Sequence, residues 1–232
     1  MPILFVSGTD TDAGKTLVTL GLMHALQAKG LRVNGMKPVA AGVSEIGGEA
    51  VNDDALLIRQ QSSKQLDYKL VNPYLFEPAI APHIAAQQVD QNIDLKLIQA
   101  ALDEIEKQSD LVVVEGAGGW LVPLNEQQDV ADIAVNMNLP VILVVGLKLG
   151  CINHARLSIQ AIQARGCRVI GWIGSQIAPE MMNVDENIET LQQYLPVKCL
   201  GIVPWLENSD AETVATYIES EALLDQFGIP AK

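Results

Sequence analysis

The sequence predicts an α/β fold in which a mostly parallel, doubly wound sheet is flanked by helices on both faces. Three observations carry that expectation. Short apolar runs rich in β-branched residues alternate with longer amphipathic stretches along the chain. Two runs, Leu111-Val112-Val113-Val114 and Val141-Ile142-Leu143-Val144-Val145, are apolar at every position, the mark of strands covered on both faces. Finally, 49% of the 232 residues are hydrophobic, enough for a sizeable core and unlike a disordered chain.

Strand candidates fall at residues 3–7, 32–36, 111–115, 141–145, 169–174 and 198–203. Helix candidates lie between them at 14–29, 53–61, 94–108, 130–138, 153–165, 185–194 and 211–223. Such alternation closes through right-handed crossovers. Residues 38–52 are rich in glycine and alanine, and 72–82 contain three prolines, so both are expected to be loops. The alternation resumes after each, so neither reads as a linker, and residues 1–232 are expected to form a single domain.

The first strand leads into Gly8-Thr9-Asp10-Thr11-Asp12-Ala13-Gly14-Lys15-Thr16, read against the phosphate-loop pattern G-x4-G-K-[ST]. A helix with an apolar stripe follows, through Leu17, Leu20, Met23 and Leu26. Strand, glycine turn and helix start are the context a P-loop requires. A loop wrapping into a helix N-terminus offers phosphate oxygens a set of backbone N–H groups and the positive end of the helix dipole. Lys15 would reach the β- and γ-phosphates, and the Thr16 hydroxyl would be a magnesium ligand. The competing account, a chance glycine turn, explains neither neighbour.

Lys37 ends the second strand candidate, where open α/β sheets place ligands; otherwise it is a solvated lysine. Asp53 and Asp54 follow Asn52 at a helix start and read equally well as first-turn acids. Glu115 ends the run 111–115 and is followed by Gly116, Ala117, Gly118 and Gly119. A carboxylate after four apolar residues is either at an exposed strand end or beside a cation, and the glycines favour close approach of a ligand.

The net charge of −13, without clustered Lys or Arg, argues against nucleic acid as a partner. The longest apolar runs are too short for a bilayer span, so no membrane partner is expected. Residues 1–7 carry no basic leader or cleavage pattern, which leads to an expectation of a cytoplasmic protein. Three widely spaced cysteines, Cys151, Cys167 and Cys199, suggest neither disulfides nor a zinc site.

Together these pieces resemble the dethiobiotin synthetase family. The resemblance rests on Gly8-Thr9-Asp10-Thr11 with Gly14-Lys15-Thr16, on Gly35-Met36-Lys37-Pro38-Val39, on Asn72-Pro73-Tyr74 with Pro82-His83, and on Val114-Glu115-Gly116-Ala117-Gly118-Gly119. It continues through Leu139-Pro140-Val141-Ile142-Leu143-Val144, then Lys148-Leu149-Gly150-Cys151-Ile152-Asn153-His154, and Pro204-Trp205-Leu206. It implies an ATP-dependent ring-closing ligase that acts on 7,8-diaminononanoate, CO2 and ATP through a carbamate and a carbamic-phosphoric anhydride. It further implies magnesium held by Thr16, Asp54 and Glu115, with Thr11, Lys15 and Lys37 around the carbamate and the migrating phosphoryl group. Asp12, Ala13, Gly14, Lys15, Thr16 and Leu17 would wrap the phosphates of ATP, and Gly116, Ala117 and Gly118 would border nucleotide and substrate. Ser175 and Gln176, with Pro204, Trp205 and Leu206, would meet the rest of the nucleotide. The family is a homodimer, so Gly150, Cys151, Ile152 and Asn153 of the other subunit would hold the substrate's carboxylate.

Two positions depart from the family pattern. Ala41 stands where the family commonly has Ser, so one substrate hydrogen bond is lost or supplied by Ser44. Ser175 stands where it commonly has an Asn that reads adenine, which implies a relaxed base preference. His24, His83, His154 and Cys151 are expected to be structural, and Trp205 is as compatible with the core or rim as with adenine. A partitioning ATPase of the ParA/MinD type usually has an extra lysine where this chain has Thr9, and a glutamine-dependent amide-forming relative would need a further domain.

Overall fold

A computed structural model describes residues 2–207 and 209–229; Met1, Asn208 and residues 230–232, included in the single-domain expectation, lie outside the described residues. Strand β1 (Ile3–Gly8) leads into helix α1 (Lys15–Ala28), and β2 (Val33–Met36) follows. Then come β3 (Val39–Ala41), β4 (Ser44–Ile46), β5 (Glu49–Val51), α2 (Asp53–Gln61), α3 (Tyr68–Val71), β6 (Tyr74–Phe76), α4 (Pro82–Gln88) and α5 (Leu95–Glu106). The second half alternates regularly: β7 (Leu111–Gly119), α6 (Ala131–Asn136), β8 (Val141–Leu147), α7 (Cys151–Ala164), β9 (Val169–Gln176), α8 (Val184–Tyr194) and β10 (Cys199–Val203). Two short helices close the described chain, α9 (Ala211–Ala215) and α10 (Ser220–Gln226).

The central sheet has the order β10-β9-β8-β1-β7-β2, and every pairing in it is parallel. Its middle strands are covered on both faces: Leu4, Phe5 and Val6 of β1, 111–114 of β7 and 141–145 of β8 are all fully buried. This is why their sequence runs are continuous rather than alternating. β1 lies between β7 and β8, and the chain leaves it toward β2 on one side and toward β10 on the other. An open sheet of this kind places its crevice at the carboxyl end of such a switch point.

All six central strands coincide with the sequence expectation. Three expectations need correction. Residues 38–52 are not a plain loop: β4 and β5 form an antiparallel hairpin in which Ile46 faces Glu49. The two residues between them, Gly47 and Gly48, have φ of 63° and 80°, the backbone a primed two-residue turn requires. Residues 72–82 contain β6, which pairs in parallel with β3 outside the main sheet. The helix expected at 211–223 is two helices, because Ile218 leaves the helical path to bridge Gly201 of β10. Helices α3 and α4 have no counterpart in the sequence expectation.

Candidate active site

The phosphate loop joins β1 to α1 at the carboxyl edge of the sheet. Five residues separate Gly8 from Gly14, one more than the pattern G-x4-G-K-[ST], so the likeness lies in the Gly-Lys-Thr end and the strand–helix context rather than in the full spacing. The chain accommodates the longer loop with two residues in the left-handed region, Asp12 at φ 57° and Gly14 at φ 84°. The loop is stapled to β8: the Thr9 amide donates to the carbonyl of Val144 at 2.9 Å, and the Gly146 amide donates to the Thr9 hydroxyl at 3.3 Å. The Lys15 ammonium donates to the carbonyl of Asp10 at 2.9 Å, across the curl of the loop. Among the described residues, no protein acceptor receives the backbone N–H groups of residues 12–17. A turn with this many free donors at a helix N-terminus attracts anions.

Gly14 is required by both backbone and space. A Cβ built there would stand 2.2 Å from the Ser175 hydroxyl oxygen, and its φ is strained for any L side chain. Gly14→Ala is therefore expected to weaken nucleotide binding at least about tenfold, with Ser175→Gly relieving the contact but not the backbone strain, so that the double variant recovers only in part. Calorimetric titration of the two variants checks this, and nucleotide binding by Gly14→Ala equal to the parent's would refute it.

Across the crevice, Lys37 lies just past β2. Its ammonium contacts Asp54 Oδ2 at 2.6 Å and Glu115 Oε1 at 2.6 Å. The Thr16 hydroxyl donates to the same Glu115 Oε1 at 3.0 Å. Glu115 is fully buried and its Oε2 has no partner among the described residues, while Lys37 is 6% exposed. Burial alone would push the Lys37 ammonium down, but the carboxylates of Glu115 and Asp54 outweigh it and hold its pKa above the usual lysine value. Burial pushes Asp54 up, and Lys37 outweighs it, so its carboxyl lies below the usual range. Burial pushes Lys15 down, offset only in part by Glu115. The site thus holds two buried ammonium groups facing two carboxylates.

Secondary structure fixes these side chains. Asn52, not an aspartate, caps α2, accepting from the Ala55 amide at 3.2 Å, which leaves Asp54 in the first turn to face Lys37 while Asp53 stays exposed. The backbone of Lys37 is tied by its amide to the carbonyl of Val71 and by its carbonyl to the Asn72 side-chain amide at 2.7 Å. Glu115 sits in the middle of β7, opposite Val6 of β1.

A cavity of about 640 Å³ opens over this cluster, of the size that small-molecule sites have. The sequence-predicted residues Thr11, Asp12, Gly14, Lys15, Thr16, Leu17, Lys37, Ala41, Asp54, Ala117 and Gly118 all line it. The structure therefore brings the phosphate candidates and two metal candidates, Thr16 and Asp54, into one space, while Glu115 is buried beneath it, reached through Thr16 and Lys37. Gly118 lies beside Thr11: its Cβ would stand 3.5 Å from the Thr11 hydroxyl oxygen. Ala13 and Gly116 are near the loop and β7 but do not line the cavity; Gly116 is packed against Phe5 and Val130. Ser44 is paired with Val51 in the hairpin and is not among the lining residues, so beside Ala41 it supplies no hydroxyl here.

The remaining candidates stand apart from the cavity along the same edge. Ser175 is buried against Gly14, and the Gln176 side chain donates to the carbonyl of Pro179. Val203 pairs with Ser175, so Pro204, Trp205 and Leu206 leave β10 next to them, with Trp205 45% exposed. Gly150 caps α7 with φ 94°, and Cys151, Ile152 and Asn153 form its first turn, outside this chain's own cavity. The sequence reading missed the far wall, Ala79, Ile80, Ala81 and Val122, and the Asn72 contact that holds Lys37. The prolines of 72–82 and the family motifs at its two ends marked that segment, but nothing marked Val122.

A family model described as an AAA domain matches residues 3–213. The chain is 46% identical over 217 residues to the ATP-dependent dethiobiotin synthetase BioD of Xanthomonas campestris pv. campestris strain 8004, covering 94% of this chain and 97% of that protein. It is 43% identical to the enzyme of the same name from Cellvibrio japonicus, covering 95% and 97% of the two chains. Among solved structures, the MinC:MinD cell division complex of Aquifex aeolicus matches with a TM-score of 0.58 at 18% identity, covering 100% of this chain and 99% of that one. MinD of Pyrococcus horikoshii, solved with Mg-ADP, matches with a TM-score of 0.53 at 18% identity, covering 99% of this chain and 87% of that one. At that identity the structural likeness shows the fold alone.

Proposed function

The chain belongs to the ATP-dependent dethiobiotin synthetase family of ring-closing ligases, and from that premise we propose that it converts 7,8-diaminononanoate, CO2 and ATP to dethiobiotin, ADP and phosphate. The single observation that carries this reading is the cluster of buried Lys15, Lys37 and Glu115 with the partly exposed Asp54 at the mouth of the phosphate loop. One substrate amine captures CO2 as a carbamate, the carbamate oxygen attacks the γ-phosphorus with ADP leaving, and the second amine displaces phosphate from the anhydride to close the ring. The first difficulty is that carbamate and triphosphate are both anions. Lys15 and Lys37 supply fixed positive charge, and the unpaired amides of residues 12–17 add aligned dipoles, in a cavity that limits water. The attacking oxygen is already anionic, so no histidine or cysteine base is required, and the Thr11 hydroxyl beside Gly118 would hold the carbamate against the phosphoryl group.

Magnesium fits the residues present. The donor set is a hydroxyl and two carboxylates, all hard oxygens, and Glu115 Oε2 is buried without a partner among the described residues. Thr16, Asp54 and Glu115 would hold the ion, which would neutralise charge on the phosphates. Ser175, Gln176, Pro204, Trp205 and Leu206 would meet the nucleoside, with the smaller Ser175 relaxing base preference. In a homodimer, the α7 turn at Gly150, Cys151, Ile152 and Asn153 of the other copy would receive the substrate carboxylate at a helix N-terminus. No helix among the described residues is long and apolar enough to cross a membrane, compatible with a cytoplasmic enzyme.

The test is incubation of pure protein with Mg·ATP, bicarbonate and the diamine. ADP release is expected only when the diamine is present, with dethiobiotin identified by mass. ADP release indifferent to the diamine would exclude the ligase reading.

A further inference from the structure

A carboxylate in the middle of an anion-binding loop opposes the ligand the loop is built for. Asp10 is such a group. Its Oδ1 accepts from the Thr11 amide at 2.9 Å and its backbone carbonyl accepts from the Lys15 ammonium at 2.9 Å, so it sits between two residues of the candidate site. Its other oxygen, Oδ2, contacts the Lys148 ammonium at 2.7 Å, which arrives from the β8–α7 turn 138 residues away. Lys148 is held in place from its backbone, because its carbonyl accepts from the Cys151 amide at 2.9 Å. Lys15 reaches the Asp10 backbone from within the loop, and His154, one turn along α7, is the other side chain that helps lower the Asp10 carboxyl. The Lys148 hydrogen bond is the main reason that the Asp10 carboxyl lies below the ordinary aspartate range.

We propose that Lys148 is a positioning residue whose ammonium neutralises Asp10 inside the phosphate loop, so that the loop stays attractive to a triphosphate and Thr11 and Lys15 keep their places. The inference rests on the phosphate-loop reading given above. Both side chains of the pair are partly exposed, 39% for Lys148 and 45% for Asp10. A pair of that kind adds little to folding stability, so its effect should appear in ligand affinity rather than in the melting temperature. A new negative charge close to phosphates is a local field effect of about tenfold in binding.

The experiment measures Mg·ATP affinity by calorimetry, with melting temperature alongside, for the full chain and four variants. Lys148→Ala is expected to bind Mg·ATP about tenfold more weakly with an unchanged melting temperature. Lys148→Arg, which keeps the charge, should bind like the parent. Asp10→Asn keeps an acceptor for the Thr11 amide and should bind at least as tightly as the parent. The double variant Asp10→Asn/Lys148→Ala should regain most of the affinity that Lys148→Ala loses. Parent-like binding by Lys148→Ala would overturn the inference, as would a double variant no better than Lys148→Ala alone. A parent protein that bound no Mg·ATP would overturn the phosphate-loop reading itself, and this inference with it.

Discussion

Lys37→Ala is expected to lower turnover about a thousandfold while Mg·ATP still binds. Lys37 sits just past β2 with its backbone locked by Val71 and Asn72, and it lines the cavity while 6% exposed. A fixed cation there, in a site partly shielded from water, acts most strongly where two anions are forced together, and that happens only on the path to phosphoryl transfer. On the proposed reading, ground-state nucleotide binding depends instead on Lys15 and the loop amides, which the substitution leaves in place. Turnover should therefore fall far more than affinity. Stability should fall too, because Glu115 loses the counter-ion to its buried Oε1. Breaking one partner out of a buried pair costs about 3 kcal/mol or more. Magnesium without nucleotide should return part of that loss by giving Glu115 a new cation. Single-turnover kinetics, nucleotide titration and melting with and without Mg²⁺ separate these outcomes. Unchanged turnover would remove Lys37 from the chemistry.

Glu115→Gln is expected to lower turnover about a hundredfold and to weaken Mg²⁺ dependence. Glutamine keeps the shape and can still accept from Thr16 and Lys37, so the substitution removes the charge without opening a cavity. Two effects follow. The magnesium candidate set drops from two carboxylates to one, leaving Asp54 and the Thr16 hydroxyl. The new amide also points N–H donors toward the side where Glu115 Oε2 now has no partner, and an unsatisfied buried donor destabilises further. The Mn²⁺ affinity of the variant in the presence of ADP should fall together with its turnover. Full turnover at ordinary Mg²⁺ concentration would mean that Glu115 balances Lys37 and does nothing for the metal.

The separate behaviour of these two residues shows where sequence reading succeeds and where it stops. Glu115 and Lys37 were both visible as polar residues ending apolar runs, at places where strands meet a crevice. That they touch was not visible, since they are 78 residues apart. Local pattern left Asp54 indistinguishable from a first-turn acid; only the family resemblance singled it out, and in the structure Asn52 takes the cap while Lys37 takes the carboxylate. A still longer separation, 138 residues, hides Lys148 from Asp10. The Gly47-Gly48 hairpin is a different case, because its turn signal was local and the segment's composition obscured it.

Hydrophobic pattern determined the six central strands and the longer helices between them, because burial on both faces and the helix period act over a few neighbouring residues, and the local Gly14-Lys15-Thr16 signal marked the phosphate loop after the first strand. Strand order was decided only in three dimensions. With β1 set between β7 and β8, Glu115 and the loop of Lys15 and Thr16 come to one edge, and β2, on the far side of β7, delivers Lys37 to them. No local preference encodes that arrangement; it follows from which strands share backbone hydrogen bonds, and it is what turns scattered charges into a site.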